Sequence, residues 1–220
     1  MLGFVYNRSG CVLYTSIVSV PAGATSVDVT TKPATPKSAM KICIDAGHGM
    51  SNKAPGIFDP GAVSAGIQEA DIALEWALAG KFILPQFGIN QFLTRDDSSD
   101  NTPVNKRDDM ARSNKCTHLL SIHCNAFNKV ATGVEVFYRD ATDIVFATHV
   151  LEALVSATGL PNRGLKKDSE SQHSRLAVLD FAPPACLMEI GFIDNPRDRA
   201  IIRDRQARIK FWNELAKRIK

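Results

Sequence analysis

Cysteine is sparse and unpaired in this chain. There are five, Cys11, Cys43, Cys116, Cys124 and Cys186, an odd number with no CxxC spacing among them. That argues against a disulfide framework and fits small buried hydrophobes in a protein made in a reducing compartment. The sharper alternative is a thiol nucleophile at Cys124 beside His123, which would need a base and an orienting group of its own. Charge of one sign is also lacking. The net charge is +3, the sequence pI is about 8.6, and the basic residues are scattered, which excludes nucleic acid as the expected partner. An anionic polymer substrate remains compatible with that balance. No stretch reads as long and apolar enough to span a membrane, so no membrane anchoring is expected. Internal repeats, low-complexity segments and the HExxH signature of zinc peptidases are absent as well.

At 220 residues and 45% hydrophobic content, the chain makes one sizeable domain with a small extension. Residues 4–6 and 11–20 are β-branched and aromatic, with Asn7-Arg8-Ser9-Gly10 between them, which predicts a hairpin. The stretch 11–24 loosely resembles a secretory apolar segment ending in Ala22-Gly23-Ala24. Thr15, Ser16 and Ser19 dilute it and only Arg8 charges its front, so no signal peptide is expected and the protein is expected to be made in the cytoplasm. Residues 21–39, with Pro21, Gly23, Pro33 and Pro36, read as a linker. The expected organisation is a β-hairpin extension and linker over 1–39 and a main domain over 40–220.

In the main domain, strands are predicted at 41–46, 88–94, 118–124, 133–138 and 185–190. Helices are predicted at 69–84, 104–114 and 143–158, with a last helix after Asn195-Pro196. The stretch between the 143–158 helix and Glu189 reads as a polar loop. Strands alternating with helices predict an α/β fold, a mainly parallel twisted sheet with helices on both faces.

Four polar residues interrupt this apolar pattern: His48, Glu69, His123 and Glu189. His48, His123 and Glu189 fall at strand ends, where open α/β sheets gather ligands. Glu69 opens a helix and shares the inward stripe of Ile72 and Trp76. Taken singly, Glu69 reads as a first-turn acid favoured by the helix dipole and His123 as a hydrogen-bonded core histidine. Glu189, inside CLMEIGF, is harder to explain so, because a carboxylate in an apolar strand is costly unless paired or shifted. His48 lies between two glycines, which let backbone and metal approach closely. Two imidazoles and two carboxylates are what a catalytic zinc site needs: three ligands, an open position and a base. His118, His149 and His173 read as solvated or structural, although His173 could line a groove.

The motifs around these residues carry a resemblance. DAGHG (45–49), DPGA (59–62), QEADIAL (68–74), LTRDD (93–97), SIHCNA (121–126), GVEVFY (133–138), NRGLK (162–166) and LMEIGFIDN (187–195) resemble, in order, the zinc-dependent N-acetylmuramoyl-L-alanine amidases of the amidase-3 type. The resemblance covers residues 41–220. It implies that His48, Glu69 and His123 bind Zn2+, that Glu189 is the catalytic acid/base, and that peptidoglycan is the substrate. On that reading Asn125 is a substrate or oxyanion donor and Arg163 meets a carboxylate of the peptide stem. The chain departs from the family at Met50 and in a longer loop over 50–58, which bears on the shape of the groove. Between Tyr138 and Glu189 there is no room for the plugging helix of activator-dependent relatives, so no activator protein is expected. A phage endolysin acting on the cell wall after release is the expected role, with a bacterial autolysin of the same chemistry as the alternative. A zinc peptidase or deacetylase acting on another bond, a non-catalytic wall-binding module, and an adaptor housed in residues 1–39 are the rival readings.

Overall fold

The structure is a computed structural model that describes residues 40–220 and, before them, the backbone of two strands, β1 (Leu2–Tyr6) and β2 (Val12–Ile17). These two pair antiparallel, Leu2 opposite Ile17. Cys11, the turn over 7–10 and the linker over 21–39 lie outside the described residues. By internal contacts the chain divides into two compact units, Met1–Ser38 and Ala39–Lys220.

The larger unit is built on six strands: β3 (Lys41–Ala46), β4 (Asn90–Leu93), β5 (His118–Asn125), β6 (Val134–Tyr138), β7 (Asn162–Lys167) and β8 (Ala185–Phe192). Their order across the sheet is β7-β6-β8-β5-β3-β4. Every neighbouring pair is parallel except β6 with β8, so the sheet is mainly parallel, as the alternation of elements predicts.

The pleat sorts the side chains onto two faces. Ile42 and Ile44 of β3, Leu120 and Ile122 of β5, and Cys186, Met188 and Ile190 of β8 join one core with Trp76 and Trp212. That face is covered by α1 (Glu69–Ile83), α3 (Ile144–Thr158) and α5 (Arg205–Ile219). Trp76 donates Nε1–H to the Ile202 carbonyl at 2.7 Å and Trp212 donates to the Trp76 carbonyl at 2.7 Å, so both large rings are buried with their polar atoms satisfied. On the other face, Cys43, Leu119, Phe137, Ala185 and Leu187 pack under α2 (Arg107–Ser113) and the turn at Ala177–Asp180. Helices therefore lie on both faces, three long ones on one side and a short one on the other.

Three expectations need correction. NRGLKK, read as part of a polar loop, is the edge strand β7; with one strand neighbour and an exposed outer side it shows no apolar alternation. The helix after Asn195 is two helices. α4 (Pro196–Ile202) is capped by Asn195 Oδ1, which accepts from the amides of Arg197 at 2.9 Å and Asp198 at 3.3 Å. The chain then turns at Arg203, and Asp204 caps α5 by accepting from the Gln206 amide at 2.9 Å. Finally, Ala141–Thr158 is long and apolar enough by composition to cross a membrane. Its Phe146, Ala147, Val150, Leu151 and Leu154 are buried in the core, so here it is the core helix α3 with its leading turn.

Candidate active site

Parallel strands β3, β5 and β8 end on one edge of the sheet, and the site gathers there. His123 and Glu189 stand opposite each other in the β5–β8 register. His48 follows β3 directly. Glu69 reaches in from the first residue of α1 and is buried. His48 Nε2 and His123 Nδ1 each lie 3.0 Å from Glu69 Oε1. The three groups offer ligand atoms all within 4.8 Å of one another. Ligand atoms held about 2.0–2.1 Å from a tetrahedral metal ion stand about 3.4 Å apart, close to the spacing found, and two imidazoles with one carboxylate are a metal-binding donor set. The residues present fit a metal ion.

Local backbone features bring these groups together. His48 has φ 60°, an uncommon value for a residue with a side chain, and Arg107 Nη2 donates to its carbonyl at 2.6 Å. A Cβ on Gly47 would lie 2.4 Å from the His123 ring, and one on Gly61 would lie 2.7 Å from both Glu69 Oε2 and the His48 ring. Only glycine leaves room for the two histidines and the glutamate to converge. Glu69 is further fixed by the Cys124 amide, which donates to Oε1 at 2.9 Å, and the Ala62 amide, which donates to Oε2 at 2.9 Å.

Asp59 holds the other side of His48. Its Oδ2 accepts from His48 Nδ1 at 3.0 Å and from Asn52 Nδ2 at 2.7 Å, and Oδ1 accepts from the Gly61 amide at 3.1 Å. A carboxylate on the far nitrogen fixes the tautomer and leaves Nε2 as the metal-facing atom. Asp59 belongs to the DPGA segment, but its role was not read from the sequence.

Electrostatics divide the carboxylates of the site. Burial pushes the Glu69 carboxyl up, but hydrogen bonds and charge from His123 and His48 outweigh it and hold the group far below the usual carboxylate range. Asp59 is held well below its usual range in the same way: burial opposes, and the bonds from His48, Asn52 and the Gly61 amide prevail. His48 is depressed by burial but raised overall by Glu69 and Asp59. Glu189 goes the opposite way. Burial first, then the like charges of Glu69 and Glu135, push its carboxyl well above the ordinary range. Its Oε2 is buried with no hydrogen-bond partner.

Asn125 and Arg163 converge on one residue that the sequence reading assigned no role. Glu135, on β6 opposite Glu189, accepts from Asn125 Nδ2 at 2.9 Å and from Arg163 Nε at 2.8 Å. The feature that singled out Glu189, a carboxylate inside an apolar strand, is present at Glu135 too. The Cys124 thiol lies in the core and is pushed up by burial, then by Glu69 and Glu189, which opposes a thiolate there, while its amide serves Glu69. Two cavities flank the metal-fitting triad. One of about 380 Å³ contains Glu189, Asn125 and Arg163 in its wall. The other, of about 360 Å³, is bounded by His48, His123, Val178 and Leu187. His173 and Leu176 line both, so His173 does border the groove.

Residues 42–220 match the family of N-acetylmuramoyl-L-alanine amidases. The sporulation-specific N-acetylmuramoyl-L-alanine amidase of Bacillus subtilis is 33% identical over 164 residues, which are 72% of this chain and 58% of that protein. The N-acetylmuramoyl-L-alanine amidase CwlM of Bacillus licheniformis is 31% identical over 163 residues, 72% of this chain and 59% of the relative. The chain thus spans little more than half the length of these two relatives. Among solved structures, the catalytic domain of the amidase CwlV from Paenibacillus polymyxa superposes with a TM-score of 0.71 at 27% identity, covering 82% of this chain and 96% of that one. The catalytic domain of the CD27L endolysin, which targets Clostridium difficile, shares the fold at a TM-score of 0.65 and 22% identity over 82% of this chain and 96% of that one. The chain belongs to the N-acetylmuramoyl-L-alanine amidase family.

Proposed function

We propose that the protein is a zinc-dependent hydrolase that cuts the amide between N-acetylmuramic acid and L-alanine in peptidoglycan. The observation that carries this is the arrangement of His48, Glu69 and His123 around one point, beside the half-buried Glu189, whose inner Oε2 has no partner. The first three would hold the ion, which supplies a Lewis acid and an activated water when bound. Asp59 keeps His48 in the ligating tautomer. Glu189 takes a proton from the attacking water on its carboxylate and returns it to the alanine nitrogen, which leaves poorly as an anion. Burial and neighbouring carboxylates raise its proton affinity, and a cation at the triad lowers it again, towards a range where one group can both take and give a proton.

Turnover without an activator protein is part of this reading. The described residues between Tyr138 and Glu189 contain one α-helix, α3, and it is committed to the core. For the biological role, the similar amidases at 30% identity or more include a sporulation enzyme, which favours a bacterial wall-remodelling function over the phage endolysin expected from the sequence; the endolysin likeness extends to the fold. In either role the enzyme acts at the cell wall.

The test is a digest of purified peptidoglycan with and without chelator. New N-terminal alanine, no new reducing sugar ends, loss of activity with chelator and about one zinc per chain are expected. New reducing ends would mean glycosidase chemistry, other new amino termini a peptidase, and released acetate a deacetylase.

A further inference from the structure

Glu135 has no part in the reaction described above, yet it organises one wall of the cavity that holds Glu189. It is buried, and its carboxylate collects three donors from two other strands: Asn125 Nδ2 on Oε1 at 2.9 Å, and Arg163 Nε at 2.8 Å and Lys166 Nζ at 2.6 Å on Oε2. Both cations keep donors to spare. A guanidinium carries five N–H groups and an ammonium three. Arg163 uses Nε alone, and its Nη atoms have no hydrogen-bond partner among the described residues. Its plane lies over the Phe192 ring, 5.0 Å from the centroid. Lys166 spends one N–H on Glu135. Both line the cavity of about 380 Å³ that Glu189 also borders. The remaining acid of that wall, Glu170, turns its Oε2 to the Lys167 amide at 2.8 Å.

The unused hydrogen-bond donors in this corner therefore belong to Arg163 and Lys166. Glu135 already accepts three donors, two of them cationic, whereas Arg163 presents a planar fork fixed by an ion pair and a ring, the geometry that matches a carboxylate. Position matters as well. Glu135 stands two strands from His123, across β8, and neighbouring strands are about 4.8 Å apart, so the wall lies about 10 Å from the triad. An extended peptide advances about 3.5 Å per residue, which brings the second residue beyond the scissile amide into this range.

We propose that Arg163 and Lys166, positioned by Glu135 and Phe192, bind the α-carboxylate of the second residue of the peptide stem, so that the enzyme selects stems with that carboxylate free over stems in which it is amidated. This rests on the amidase reading above and names the substrate class for it. Glu135 is a positioning residue that acts through the two cations.

The test uses two soluble muramoyl-tripeptides, both with C-terminal amides, which differ only in a carboxylate or a carboxamide at the second residue. The full chain should cleave the carboxylate form with a kcat/KM about 10- to 100-fold higher, the range for hydrogen bonds to a charged group, with the difference mainly in KM. Arg163→Gln and Glu135→Gln should each bring the ratio of the two substrates towards unity. Partial unfolding lowers the rate on both substrates alike and leaves their ratio unchanged, so the ratio isolates recognition from stability. Equal kcat/KM for the two substrates with the unaltered chain overturns the proposal and leaves the amidase reading standing. A preference that survives Arg163→Gln overturns it too. Cleavage of neither substrate by the zinc-loaded chain overturns both readings.

Discussion

Two carboxylates on strands of one sheet, Asp45 fully buried and Glu189 half-buried, have opposite surroundings. Asp45, on β3, accepts from Thr94 Oγ1 at 2.7 Å, Arg107 Nη1 at 2.7 Å and Ser121 Oγ at 2.6 Å. Burial raises its carboxyl, but the Arg107 charge and the two hydroxyls hold it below the usual value. Glu189, on β8, keeps an unpartnered oxygen and is raised by burial. Both side chains point to the α2 face of the sheet, as the alternation of their strands requires. What separates them is what faces them. Asp45 looks at Arg107, which also grips the carbonyls of Ala46, His48 and Thr102 and ties the strand end to the loop after it. Glu189 looks into a cavity. A buried acid that is saturated holds a structure together, and one left open is available to a substrate.

The largest expected effect comes from closing the open member of this pair. Glu189→Gln keeps shape and removes the proposed base, so turnover should fall by about 10²–10⁴-fold while zinc content and peptidoglycan binding persist. Kinetics on soluble muropeptides, with metal analysis, check this; loss of zinc would make Glu189 a ligand, and near-normal turnover would leave the reaction without its base.

Opening the saturated member should cost stability. Arg107→Met leaves Asp45 buried without its cation, at about 3–5 kcal/mol by denaturant titration. The pH dependence sharpens the contrast. The folded pKa of Asp45 lies below its ordinary 3.8, so the stability it contributes is present above about pH 4 and is lost as pH falls through the depressed value. In Arg107→Met the strongest opposition to burial is gone and the two hydroxyls and the His123 charge remain, so the folded pKa should rise and the loss of stability with falling pH should shrink or reverse. An unchanged acid limb in the variant would show that Asp45 does not titrate as its partners require.

A smaller effect is expected behind the ligands. Asp59→Asn keeps the side-chain volume but removes the charge that orients His48, and zinc affinity should weaken about 10- to 100-fold by competition with a chelator. The smallest effect concerns the first 39 residues. Every group of the site lies beyond Met40, and the chain divides at Ser38–Ala39 by internal contacts. A chain beginning at Met40 should bind zinc and cleave small muropeptides as well as the whole does; zinc binding without cleavage would mean that the extension helps to build the site.

The four residues read from the sequence were legible because each breaks a period: Glu189 an apolar strand, Glu69 a helical stripe, His48 and His123 the ends of strands. The same signal at Asp45 and Glu135 was not separated from it. A charge inside an apolar run announces that a partner or a function exists, without saying which. Edge strand β7 left no trace, because a strand with one neighbour and a wet face needs no alternation.

Sequence by itself determined the alternation of strands and helices, the mainly parallel sheet, the family and the residue types of the candidate metal site, since these follow from local periodicity and contiguous motifs. Tertiary structure decided which carboxylate is spent and which is free. Arg107 reaches Asp45 from 62 positions away, and Arg163 and Lys166 reach Glu135 across a strand pair that no periodicity announces. Proton affinity and ligand recognition depend on such through-space neighbours and on exclusion of water, and neither is a property of neighbours along the chain.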